Sequence, residues 1–88
     1  MDSVVVDARV SKRHPKIKDS DVLSAWGNAI SVIRRDTSEK DFFVVIGSDS
    51  KGRLIEMVAA EEVSGTKRIF HAMTPPSEIS LKELGLVR

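Results

Sequence analysis

The chain has 88 residues, 41% apolar and 31% charged, with five Gly, three Pro and no Cys. That is material for one domain with a modest core, and it excludes a disordered, collagen-like or low-complexity chain as well as disulfides, thiolate nucleophiles and zinc–thiolate sites. Fourteen Lys and Arg against thirteen Asp and Glu leave a net charge of +1, so any preference for a polyanion has to be local.

No apolar run approaches the roughly 20 residues of a membrane span. The opening MDSVVVDARV has neither a basic flank nor a signal-like apolar core. A soluble, cytoplasmic protein with a single domain over residues 1–88 and no membrane contact is expected.

Val4, Val5 and Val6 form a β-branched run ended by Asp7, which predicts a brief strand at a sheet edge. Asp7 then serves as N-cap for about two helical turns over DARVSKRH, and Pro15 stops them by pushing His14 out of the α region. A second helix is expected to follow, capped by Asp19 or Ser20. Val22, Trp26, Ala29 and Ile33 recur at helical spacing, joined by Leu23 and Ile30.

Arg34, Arg35 and DTSEKD break that pattern, and Phe42 to Ile46 reads as a buried strand. SDSKGR is a hairpin turn with Gly52 at positive φ, LIEMVAAEE its returning strand, and Gly65 the turn residue before a third strand, KRIFHAM. Ser77 caps a closing helix through Leu84, with Gly85 as its stop. The expected class is α+β: an antiparallel meander of three to four strands, two N-terminal helices and one C-terminal helix.

Between Ala8 and Lys18 lie Arg9, Lys12, Arg13, Lys16, Lys18 and His14 without one acidic residue. Such a stretch is either a solvated helix face or a local phosphate site. His14 sits where Pro15 fixes the backbone, and either caps a helix end or presents its ring. His71 lies within the last strand, where strict alternation groups it with Lys67, Ile69 and Met73 and sets Arg68, Phe70 and Ala72 on the other face. Arg53 follows the turn glycine, within reach of a phosphate at the sheet end.

Two imidazoles with arginines suffice chemically for metal-independent RNA cleavage by 2′-hydroxyl attack, which needs a base, an acid and a cation. No nucleotide-loop, HExxH or EF-hand pattern occurs, and two separated histidines make a poor metal site, so neither cofactor nor metal is expected. Phe42, Phe43, Phe70 and Trp26 are expected in the core rather than as a stacking platform.

Three segments in order, RHPKI before a helix, VVIGSDSKGRLIEMVAAE, and KRIFHAM before a closing helix, resemble the BrnT-type toxins, small proteins of the RelE-like ribonuclease fold. That family carries a KHG step into a helix, an IG…GR hairpin and an RI-x-x-A-R strand, and the likeness spans roughly residues 12–84. Arg13 and His14 match its Lys-His step, Arg53 its Gly-Arg, and Arg68, Ile69 and Ala72 its next strand. Met73 stands where the family has arginine, and Pro15 where it has glycine.

The resemblance implies a type II toxin acting on RNA without metal and held by a cognate antitoxin. His14 and His71 would be the acid–base pair, with Lys12, Arg13, Arg53 and Arg68 on phosphate. The alternative is a non-catalytic RNA- or protein-binding module on the same fold, for which Met73 argues. Oligomeric state is left open.

Overall fold

The computed structural model describes residues 3–36, 41–83 and 85, without the side chains of residues 35 and 36. Part of the expected polar break, residues 37–40, and Leu84, the expected end of the closing helix, lie outside the described residues. The elements run β1 (Val4–Val6), α1 (Ala8–Arg13), α2 (Asp19–Gly27), β2 (Ala29–Asp36), β3 (Asp41–Ser48), β4 (Leu54–Glu61), β5 (Lys67–Met73) and α3 (Glu78–Glu83). One five-stranded sheet has the order β1-β5-β4-β3-β2. β1 runs parallel to β5 at one edge and every other pair is antiparallel, so the class is α+β with a mixed sheet. No helix among the described residues is long and apolar enough to cross a membrane.

The first helix forms as its cap and stop residues dictate. Asp7 accepts a hydrogen bond from the Arg9 N–H at 2.9 Å, and His14, before Pro15, leaves the helix at φ −133°, ψ 77°. At the second helix the capping differs from expectation. Asp21, neither Asp19 nor Ser20, reaches back to accept from the Lys18 N–H at 3.0 Å.

The second helix also ends early. Helical spacing carried it through Ala29, Ile30 and Ile33, but α2 stops at Gly27 and residues 29–36 form β2. The Gly27-Asn28 pair is a poor helix continuation, and β-branched Val32 and Ile33 gain a ladder against β3, where Val32 faces Val45 and Ile33 faces Val44. Long-range pairing therefore overrides the local period. The last turn of α2 lies directly on β3 at Gly47, where an added Cβ would come within 1.9 Å of the Ala25 carbonyl oxygen.

The two hairpins follow their glycines, with Gly52 at φ 78° and Gly65 at φ 87°. On one face of the sheet, Val10, Ile17, Val22 and Ala25 from the helical half pack with Val45, Ile55, Met57, Ala59, Ile69 and Ala72. Trp26 and Phe43, both partly buried, pack against this core as expected, whereas Phe42 and Phe70, also partly buried, lie outside it and meet each other edge to face at 5.9 Å.

β5 departs from simple alternation. Ile69 pairs with Ala59 but His71 with Val58, so Phe70 is an extra residue, a bulge. Ile69 and Ala72 consequently share the helix-covered core, and His71 turns to the opposite face with Val58 and Glu56 instead of joining Ile69.

Candidate active site

The backbone fixes His14 on both sides. Its N–H donates to the Val10 carbonyl at 3.0 Å and its carbonyl accepts from the Ile17 N–H at 2.9 Å, so the turn around Pro15 fixes the main chain that carries the ring. β1 pairs with β5 only over Lys67–Ile69, and the chain then turns into α1, which packs against β5. This path carries His14 next to His71. The ring centroids are 6.4 Å apart and the planes stand at 90°.

His71 Nε2 lies 2.9 Å from Oε2 of Glu56, and the other oxygen of Glu56 accepts from Ser77 Oγ at 2.7 Å and Ser77 N–H at 3.1 Å. Glu56 is buried on a central strand. Burial pushes its pKa up, but hydrogen bonds from Ser80, Ser77 and His71 outweigh that and hold it below the ordinary carboxylate value of 4.5. An ionised carboxylate only accepts, so the shared proton sits on His71 Nε2. In the neutral tautomer defined by that bond, Nδ1 is the nitrogen with the lone pair.

Sequence reading did not single out Glu56. The available signal was a lone acid in LIEMVAA, a run that is otherwise apolar.

Next to His14 a cavity of about 250 Å³ is lined by Arg13, Pro15, Lys16, Arg53 and Thr74 among others. Thr74 is fixed there by donating to the Leu54 carbonyl at 2.7 Å. Arg53 is present as expected, yet each nitrogen of its guanidinium is engaged. Nε donates to Asp49 Oδ2 at 2.8 Å, Nη2 to Asp21 Oδ2 at 3.1 Å and Nη1 to the Lys16 carbonyl at 3.2 Å.

Lys51 also reaches Asp21, at 3.3 Å, so two cations and two carboxylates cancel. The Lys18 N–H, Lys51 and Arg53 hold Asp21 below its ordinary pKa. For Asp49, burial pushes upward and the bonds from Arg53 and Lys51 prevail. The cluster ties the β3–β4 turn to the α1–α2 loop. Positive potential in the cavity consequently falls to Arg13 and Lys16, both exposed.

The remaining expected cations lie elsewhere. Lys12 is exposed on α1 and does not line the cavity. Arg68 sits at the β1-paired end of β5, opposite Val5 and Ala60, with its Nε 3.6 Å from Glu62. The fold thus gathers His14, His71, Arg13 and Arg53, adds Glu56 and Lys16, and leaves Lys12 and Arg68 outside.

Chemically, the cluster offers two imidazoles, one bonded to a carboxylate, and a cavity of about 250 Å³ with cations in its wall, which His14 lines and His71 does not. Among the described residues, no group of three or more His, Cys, Asp or Glu side chains is arranged to hold a metal ion. Compared with known proteins, the chain matches no family model, no curated protein and no solved structure.

Proposed function

We propose that the chain is a BrnT-like, RelE-type toxin that cleaves RNA without metal, with His14 and His71 exchanging protons on opposite sides of one phosphate. The observation that carries this reading is the 6.4 Å approach of two histidines that stand far apart in sequence. Acid and base must each come within about 3 Å of an oxygen on the same phosphorus, and rings at that separation meet the requirement. Arg13 and Lys16 supply the charge that draws the RNA backbone to the cavity, and the order of the RHPKI, IGSDSKGR and KRIFHAM segments supports the family.

Cleavage of a single-stranded oligoribonucleotide in the presence of a chelator tests it, with 2′,3′-cyclic phosphate and 5′-hydroxyl ends as the expected products. Expression in a bacterial host is expected to arrest growth, and the product of a neighbouring gene to relieve the arrest. Intact RNA at high protein concentration together with normal growth would overturn the proposal.

A second reading is a module that grips RNA without cutting it. It is favoured by one observation, the neutralisation of Arg53 by Asp21 and Asp49, coupled with Met73 at the position of the family's arginine. His71→Ala separates the two, because it abolishes cleavage with affinity kept under the first and changes neither under the second.

A further inference from the structure

We propose that Glu56 is the positioning residue of this site, holding His71 by Nε2 so that Nδ1 is the nitrogen that takes the proton from RNA. The inference rests on the acid–base reading above and assigns the roles within it: His71 is the base and His14 the acid.

Glu56 occupies a place where an apolar side chain would serve the sheet better. It lies on central strand β4 between buried Ile55 and Met57, faces buried Ile46 on β3, and is itself 5% exposed. A carboxylate in such a position is costly unless its oxygens are satisfied. Here the division of partners is specific. Oε1 takes the Ser77 hydroxyl and N–H, which fixes the carboxylate, Oε2 lies against the imidazole, and the Ser80 side chain adds a further hydrogen bond to the group.

A carboxylate anchored at one oxygen and bonded to a ring at the other selects the tautomer and the orientation of that ring. It also favours the imidazolium formed when Nδ1 gains a proton. His14 has no carboxylate partner among the described residues, so the asymmetry of the pair is built into the fold.

The step then balances. The 2′-hydroxyl proton moves to His71 Nδ1, the 2′-oxygen–phosphorus bond forms as the phosphorus–5′-oxygen bond breaks, and the departing oxygen takes its proton from His14. Both rings return to their starting states by exchange with water.

The test has two arms. In the ligand-free 88-residue chain, proton NMR is expected to show a downfield, slowly exchanging His71 Nε2–H signal that disappears in Glu56→Leu, whose fold is checked by circular dichroism. Where Glu56→Leu does not fold, Glu56→Gln keeps the shape and loses the charge. It is expected to lower kcat on a single-stranded oligoribonucleotide by roughly 10- to 100-fold, as loss of an orienting partner does, with KM within about twofold. An unchanged signal in folded Glu56→Leu, or wild-type kcat in Glu56→Gln, would overturn the assignment. Absence of cleavage by the wild-type chain would sink the ribonuclease reading instead, and the NMR arm would still decide whether Glu56 holds the ring.

Discussion

Two clusters of buried carboxylates, Asp21 with Asp49 and Glu56 with its partners, solve the same problem differently. Asp49 and Asp21 are saturated by backbone N–H groups and by the permanent charges of Arg53 and Lys51. Nothing there can change its charge near neutrality, so the cluster pins a turn to a loop. Glu56 is met by the hydroxyls of Ser77 and Ser80, a backbone N–H and an imidazole, whose two nitrogens can each hold or release a proton. Burial and hydrogen bonding are common to both. What separates a brace from a site is whether one partner can give up or take a proton.

The contrast is broken most strongly by removing an imidazole. His71→Ala or His14→Ala is expected to lower oligoribonucleotide cleavage by roughly 10²- to 10⁴-fold, the usual contribution of a general acid or base, with binding within about twofold in a filter assay. The corresponding change in the brace, Arg53→Met, is expected to act on stability. Leaving buried acceptors without their donor costs about 1–3 kcal/mol, visible as a lower urea midpoint. Gly47→Ala probes the packing of α2 on β3. Its methyl group meets the Ala25 carbonyl, and a loss of about 1–3 kcal/mol is expected from the forced shift of α2.

Acid sharpens the comparison further. Asp21, Asp49 and Glu56 all have native pKa values below their ordinary ones, so the unfolded chain binds more protons at low pH. Their stabilisation is complete above the unfolded values of 3.8 and 4.5 and is lost as pH falls through the lower native values. Urea midpoints are therefore expected to be flat above about pH 5 and to fall below it. Asp49→Asn is expected to flatten that acid limb. The smallest effect belongs to the exposed cavity cations. Arg13→Ala is expected to weaken RNA binding a few-fold and to reduce the salt slope by about 0.7, the contribution of one phosphate contact on a single strand.

Much of the site scaffold was legible in the residues because it depends on local chemistry. Asp7 as a cap, Pro15 as a stop and positive-φ glycines at 52 and 65 each act over a few residues, and each element they delimit formed where expected. Glu56 was harder to read, since a lone acid in an apolar strand gains meaning only when its cross-strand and loop partners are known. Arg53 was legible as a cation within reach of a phosphate but not as a neutralised one. The two carboxylates that cancel it come from a separate helix and from the preceding turn.

The order of caps, stops and turns, and hence the strand–helix–helix–meander–helix plan, is written in short-range preferences. Non-local pairing settled the rest. β3 offered a ladder that turned residues 29–36 from helix into strand, and a single extra residue at Phe70 moved His71 to the face of Glu56. Free energies of that kind depend on which surfaces meet, and a one-dimensional pattern carries no record of them.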